Sequence, residues 1–514
     1  MVAGQTYLLG IDIGATAVKV GVFSPRGEIL GLSRIPCAVE SPHPGWAEVD
    51  AENWLKAVVD GLASATTRAG ISPHDIASVG LSNMIASVVP LDEEARPLRK
   101  AILFYDQRSV PQASSIRQRV SEERITRITG NRVVPGNTAA TSIRWIVENE
   151  PEVYARTELF ALTNTLIYRW LAGDAAIDWT NAPYTGFFDY TNCRWAPETF
   201  EWWEIDPRTL PPVAPSTRVG RVTAAAAGIT GLREGTPVAI GAIDGAATSL
   251  AVGALEPDQV FESCGTSDMV SFTCDEPRVI PEFTNRYHVV PGRWACNGVM
   301  STPGAALQWF RDQLYLKGGG AAQEDAYEAM SSEAERSPPG AKGLIFLPYM
   351  MGERSPIWDP HARGVFFGLS LSTTRADMIR ALLEGAAYGL RQMFELAETK
   401  LGRRFGQVIA VGGGARNRLW TQIKADAWGK VILTPRFQEG ACLGAAMIGG
   451  VATGLYPDWQ AAVEMAAVKD VQETRPRDEL YAVYSRYYEV YTGLYPDLAA
   501  RYVQLWNARQ SPFR

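Results

Sequence analysis

Two α/β domains facing a shared cleft are the fold that this sequence predicts, on three observations. The first is length: 514 residues exceed what one hydrophobic core supports, and two domains of about 200–250 residues are the natural division. The second is a distant internal repeat. Residues 7–23 read as strand, glycine–threonine turn, strand, with Asp12 just before Gly14 and Thr16, and residues 260–272 repeat the unit around Gly265 and Thr266. Such a turn aims backbone N–H groups and a hydroxyl at a phosphate. Two copies suggest two related domains, each offering a phosphate hairpin to one cleft. The third is Asp244, set in a run of small residues at 241–247, between a strand at 238–243 and a short helix running to Leu255. Small neighbours let a ligand approach its carboxylate; capping the helix is the other role open to it.

The bulk numbers exclude other classes. A hydrophobic content of 46% with 20% charged residues is that of a soluble globular protein, and a net charge of −7 gives no nucleic-acid surface. No stretch is long and apolar enough to span a bilayer, and residues 1–6 do not read as a signal peptide. Cys37, Cys193, Cys264, Cys274, Cys296 and Cys442 are scattered without a CxxC pair, so reduced thiols and a cytoplasmic location are expected. The 4 histidines stand outside the small-residue motifs. They read as surface or loop residues, which argues against a histidine-based triad.

Taken in order, 8–34 is strand, tight turn, strand. Asp12 emerges at a strand end, where a carboxylate can face cation-bound phosphates. Lys19 is either a phosphate partner or a solvated strand residue. Asp50 caps a helix with Trp54, Leu55, Val58, Val59 and Leu62 on one face. Strands at 76–81 and 101–105 end near Ser82 and Asp106, and strand ends pointing one way build a ligand floor. Asp106 and Arg108 are either sugar contacts or a surface ion pair. Residues 110–205 read as a helical insertion whose tryptophans pack in the core.

Beyond Asp244, a helix is expected at 302–316 with Leu307, Phe310 and Leu314 on one side. Glycines at 318–320 punctuate a loop, and a long helix covers 377–401. The strand 408–411 runs into Gly412-Gly413-Gly414 and a helix after Asn417, a place for a nucleotide against exposed backbone. No Walker-type loop occurs. A small-residue helix at 439–446 is expected to pack on that glycine loop, and the tail from Arg477 reads as a structural helix.

These pieces, in this order, resemble the FGGY carbohydrate kinases of the actin-like ATPase superfamily. The likeness rests on the segments at 10–23, 45–50, 101–109, 241–255, 262–268, 347–370, 410–420 and 439–450, nearly end to end. It implies two ribonuclease-H-like domains, a sugar-binding one at 1–253 and a nucleotide-binding one at 254–455, with a helical tail at 456–514. It implies ATP and Mg²⁺, a small sugar or polyol as the partner, and leaves a homodimer open. By motif position Asp244 resembles the general base and Asp12 the Mg²⁺ carboxylate. Gly14, Thr16, Lys19, Gly265 and Thr266 resemble the phosphate contacts, and Gly304, Gln308, Gly413 and Asn417 the nucleotide contacts. Met84, Ile85, Phe104 and Asp106 fall where the family lines its sugar pocket.

Four departures stand out. The first phosphate turn reads Gly14-Ala15-Thr16 rather than Gly-Thr-Ser. Asp268 stands where the second turn ends in Gly or Ala. Met84-Ile85-Ala86 replaces the Gln-Met-His of xylulose kinases, and Phe104 replaces a tryptophan. A ketopentose such as xylulose is the first expectation for substrate. A polyol or sugar acid is the alternative, because losing a polar histidine changes which hydroxyls are paired. A non-catalytic actin-like nucleotide switch is the rival from another class.

Overall fold

The computed structural model describes residues 6–317, 326–437 and 439–510. Its first lobe contributes β1 (Tyr7–Ile13), β2 (Ala17–Phe23), β3 (Ile29–Pro36), α1 (Ala51–Ala69), β4 (Ile76–Asn83), β5 (Val219–Arg221), β6 (Pro237–Ile243) and α2 (Asp244–Ala251). The second contributes β7 (Val260–Cys264), β8 (Asp268–Cys274), β9 (Thr284–Tyr287), β10 (Trp294–Met300), α3 (Pro303–Phe310), α4 (Arg375–Leu401), β11 (Gln407–Val411), α5 (Arg418–Trp428) and β12 (Val431–Pro435). Helix α6 (Gly440–Ala452), strand β13 (Val471–Thr474) and helix α7 (Asp478–Gln510) follow.

The first sheet runs β5-β6-β4-β1-β2-β3 and the second β9-β10-β8-β7-β11-β12-β13. They repeat one plan. The pairs β1–β2 and β2–β3 are antiparallel and β1–β4 and β4–β6 parallel. Likewise β7–β8 and β8–β10 are antiparallel and β7–β11 and β11–β12 parallel. The two related domains inferred from the repeated turn, and the ribonuclease-H-like lobes that the resemblance implies, are therefore what the chain builds.

Local chemistry accounts for the elements. Asp50 accepts the Glu52 N–H to start α1, and Gly70 at φ 68° ends it. Strand β1 is apolar almost throughout because helices cover both its faces. Leu9, Ile11 and Ile13 share a core with Trp54, Val58 and Leu62 of α1. Leu8 shares the opposite core with Cys442, Leu443 and Ala446 of α6. Helix α6 lies so close that a β-carbon on Gly10 would stand 1.8 Å from the Cys442 carbonyl oxygen, and one on Gly80 1.8 Å from that of Ala445.

Several expectations are corrected. Helix α6 packs on the first sheet and on α2, not on the glycine loop, so its small residues answer Gly10, Gly80 and the first helical turns after Asp244. The strand expected at 101–105 is only Ala101–Ile102 before a turn, and α2 stops at Ala251. Helix α3 passes at Arg311 into a π-turn that leaves Leu314 exposed. Asp106 and Arg108 are a buried pair, not a surface one. His288 is buried and its ring held neutral, its pKa pushed down to about 3 by burial and by Arg286. The tail is not all helix: β13 completes the second sheet, and Tyr484 and Tyr491 of α7 are buried in that lobe's core. The glycines at 318–320 lie outside the described residues. The tryptophans of the insertion do pack in the core, with Trp145, Trp179, Trp195 and Trp203 in one cluster.

Candidate active site

Three adjacent parallel strands of the first sheet end side by side. The register pairs Asp12 with Ser82 and Ile13 with Asn83, and Asn83 with Ile243. Asp244, the residue after Ile243, thus opens α2 beside the end of β4, one strand over from the end of β1. The carboxyl ends of parallel strands form the crevice of an open α/β sheet. Gly14 and Thr16 occupy the turn of the β1–β2 hairpin at the same edge, with the Gly14 N–H donating to the Ala17 carbonyl at 3.0 Å.

Asp12 is buried and accepts the Ser82 hydroxyl at 2.9 Å. Its cross-strand neighbour Lys19 brings Nζ to 3.7 Å from it and to 2.9 Å from Glu439, at the start of α6. Strand periodicity explains the trio: Leu8, Gly10 and Asp12 lie on the face that α6 covers. Burial raises the Asp12 pKa, with Lys19 and Ser82 pulling the other way.

Water reaches the Asp244 side chain, yet protein surrounds it in the crevice between the lobes. That enclosure, and then the Asp12 charge, push its pKa up to about 6; the Gly245 N–H, Arg286 and Lys19 work against the rise. Tyr184 of the first lobe and Arg286 of the second stand within electrostatic reach of it, and Arg354 stands within reach of Tyr184. Arg286 is 2% exposed, and its recorded partners are the Tyr287 carbonyl at 3.3 Å and the Ser271 hydroxyl at 3.5 Å. It has no carboxylate partner among the described residues.

The second lobe presents its own strand ends. Ser263 pairs with Val411 across β7 and β11, so the Gly265-Thr266 turn and the Gly412–Gly414 loop adjoin. The Thr266 carbonyl accepts the Ala305 N–H at 3.0 Å. Gly304 lies against the turn so closely that a β-carbon there would be 1.9 Å from the Gly265 carbonyl oxygen. Gln308 and Gly413 are exposed at this edge. Asn417 caps α5, accepting the Trp420 N–H at 3.1 Å, while its amide donates to Ser331 at 2.8 Å.

Not every expected pocket residue is free to meet a ligand. Asp106 is 0% exposed and its carboxylate is taken up by the Ala47 N–H and by Arg108; it holds the 45–47 loop. Met84 is sealed in the core, while Ile85 and Phe104 are half-buried. Asp268, the departure in the second turn, turns inward to Lys424 at 2.8 Å. Glu439, Tyr184, Arg286 and Arg354 were not singled out from the sequence, because no turn or repeat marks them.

A fold with two glycine–threonine hairpins across a crevice and a carboxylate at its floor is the frame of a two-lobed phosphotransferase. Models of the FGGY family of carbohydrate kinases match it twice: the N-terminal domain over residues 7–251 and the C-terminal domain over 260–453. The chain belongs to that family and is an ATP-dependent sugar kinase. It is 30% identical to the xylulose kinase of Lactococcus lactis subsp. lactis, covering 96% of this chain and 97% of that one. It is 29% identical to the gluconokinase of Bacillus licheniformis over 98% and 99% of the two. The crystal structure of the xylulose kinase from Rhodospirillum rubrum superposes with a TM-score of 0.89 at 31% identity, covering 96% of this chain and 99% of that one. Kinases of this family use ATP and a divalent metal. No described helix is long and apolar enough to cross a membrane.

Proposed function

We propose that the chain transfers the γ-phosphoryl group of ATP to a hydroxyl of a ketopentose such as xylulose, with Asp244 as the general base. The observation that carries the reading is Asp244 itself, at the end of β6 in the crevice, with a pKa near 6 that suits a base at neutral pH. The substrate hydroxyl donates to its carboxylate, and Asp244 takes the proton as the new O–P bond forms. The Gly14-Ala15-Thr16 and Gly265-Thr266 turns hold the phosphates in line, with the Thr16 and Thr266 hydroxyls as donors, while the Gly14 and Gly265 N–H groups close the turns themselves. Gly304, Gln308 and Gly413 bound the nucleoside, with Asn417 fixing the loop. Closure of the lobes keeps out water that would otherwise accept the phosphoryl group.

Asp12 fits a Mg²⁺ role: a hard, buried oxygen donor whose pKa burial raises against the pull of Lys19. A Mg²⁺ held there, directly or through water, supplies neutralisation of phosphate charge. The ATP supply and six free cysteines favour a cytoplasmic setting.

A second reading, a sugar acid in place of a ketopentose, is favoured by Arg286, a buried guanidinium without a carboxylate partner on the flank of Asp244. Coupled ADP-release assays across pentuloses, polyols and aldonates separate the two. Turnover of xylulose at least tenfold above any aldonate supports the first reading, and the reverse order replaces it with the second. No turnover of any small polyhydroxyl compound removes both.

A further inference from the structure

The two hairpins differ in what lies beneath them. Aligned on their turn glycines, Ile11 and Ile13 of the first match Glu262 and Cys264 of the second, and Val18, the cross-strand partner of Ile13, takes the place of Asp268, the partner of Cys264. The first set is apolar and packs in a core; the second is equally buried, at 1% or less exposure, but polar. Lys424, from the middle of α5, reaches up among the three. Its ammonium bonds to Glu262, to Asp268 Oδ2 at 2.8 Å and to Cys264 Sγ at 3.2 Å, so each of its three N–H groups has its own acceptor. Trp420 and Trp428 wall it in, with ring centres 4.7 and 5.7 Å from Nζ.

Donor atoms of Glu262, Cys264 and Asp268 lie within 4.8 Å of one another, which is metal-ligand spacing. The ammonium already sits where a cation would, so the cluster does not fit a metal centre. Burial and the Asp268 charge push Glu262 up to about 8. Oxygens of both carboxyl groups, Glu262 Oε2 and Asp268 Oδ1, lack a donor from any other described residue. A proton on Glu262 donated to Asp268 satisfies both and leaves the cluster neutral.

Buried ion clusters are poor stabilisers: apolar replacements of similar volume are often neutral or better, while registry is their best attested use. This one touches the parts that register would serve. Cys264 ends β7 and Asp268 begins β8, flanking the Gly265-Thr266 turn. On the other side, β-carbons on Gly412 and Gly414 would stand 2.3 Å from the Cys264 carbonyl oxygen and 2.0 Å from its Sγ. Cys264 is thus wedged between the phosphate turn and the glycine loop, and Lys424 belongs to the helix that this loop opens.

We propose that Lys424 is a positioning residue for phosphoryl transfer, which locks the Gly265-Thr266 turn and the Gly412–Gly414 loop into one unit through Glu262, Cys264 and Asp268. The proposal rests on the reading of Gly265-Thr266 as a phosphate turn.

Lys424→Met keeps the length of the side chain and removes its donors. The expected result is a KM for ATP raised about tenfold with a lower kcat and a sugar KM within twofold of the parent. Calorimetry should show ADP binding weakened about tenfold and adenosine binding unchanged. A second variant guards against misfolding: Glu262→Ile, Cys264→Ile, Asp268→Val and Lys424→Leu together give this hairpin the apolar underside of the first. It should melt no lower than the parent yet show the same loss for ATP and ADP. Parental ATP kinetics and ADP affinity in the fourfold variant would overturn the proposal, as would equal losses of adenosine, sugar and ADP binding in Lys424→Met. A parent that phosphorylates no sugar at all fails the functional reading instead, and the ADP and adenosine titrations still decide the role of Lys424.

Discussion

The first and second phosphate hairpins share strand order, pairing and a glycine–threonine turn, yet place their charges on opposite faces. In β1, Asp12 is two residues before Gly14 and pairs with Lys19. At the matching place in β7 stands Ser263, paired with Met269. The charges of the second hairpin are displaced by one residue, and in a strand one residue is the other face. Asp12 and Lys19 consequently look toward α6 and the crevice, beside Asp244. Glu262 and Asp268 look into the core of their own lobe, with Lys424. The same turn therefore has its charges facing the crevice in one lobe and the core in the other. Electrostatics agrees: the Asp12 charge is the second-largest influence lifting the Asp244 pKa, and none of the second hairpin's groups is among those shifting it.

The sharpest way to break this comparison is at Asp244. Asp244→Asn should lower kcat by about 10³-fold, within the 10²–10⁴ range for losing a general base, with ADP affinity unchanged. The parent's kcat/KM should climb with pH through about 6 and level off above, because only the carboxylate accepts the proton. The linkage has the opposite sense for stability. An acid whose pKa is raised by folding holds its proton in the folded state while the unfolded chain has lost it. Stability therefore falls as pH rises from about 4 to about 6, and stays lowered above. Asp244→Asn should thus melt higher than the parent at pH 7.5. A variant that keeps its turnover, or a pH profile flat between 5 and 7, removes Asp244 from the role.

Asp12→Asn tests the crevice-facing side of the first hairpin. A fall of about 10²-fold in kcat/KM is expected, with a higher divalent-cation requirement. Loss of the Asp12 charge should also move the midpoint of the pH profile downward, since that charge helps hold Asp244 up. An unshifted midpoint would separate the two carboxylates. Gly304→Ala probes the second hairpin instead. The new methyl would meet the Gly265 carbonyl oxygen at 1.9 Å, and backbone has to move. A stability loss of about 1–3 kcal/mol should accompany a raised KM for ATP and an unchanged sugar KM.

The first lobe's strand ends were legible because glycine, aspartate and threonine mark turns whatever packs around them. The repeat of that turn, the Asp50 cap and the glycine loop at 412–414 are local, and the sequence carries them in full. What tertiary contact decides was not legible. The small residues of 440–452 told of close packing but not of the partner, which is Gly10 and Gly80 more than 350 residues earlier in the chain, in β1 and β4. Asp268 stood two residues from Thr266 with no role that the sequence could assign. Only the register, Cys264 opposite Asp268, and the reach of Lys424 from a distant helix turn it inward. Asp106 misled for a similar reason: a strand-end aspartate looks like a ligand until Arg108 folds back on it.

The finest test concerns Glu439, which α6 delivers to the first hairpin although it follows the whole second sheet's parallel core in sequence. Its carboxylate holds Lys19 at 2.9 Å and so keeps the ammonium 3.7 Å from Asp12. Glu439→Gln releases Lys19 to pair with Asp12 alone. The lysine then competes for the Asp12 oxygen that the proposed Mg²⁺ role requires, and the concentration of Mg²⁺ for half-maximal rate should rise. Lys19 is 29% and Glu439 20% exposed as side chains, so the pair is worth about 0.2–1 kcal/mol and the shift should not exceed about fivefold. It should shrink between 0.05 and 0.5 M salt, as screening weakens the interaction, while kcat at saturating Mg²⁺ stays within about twofold. A shift that is insensitive to salt would mean that Glu439 acts by placing α6 rather than by steering Lys19. The charge contrast between the hairpins would then rest on Asp12 alone.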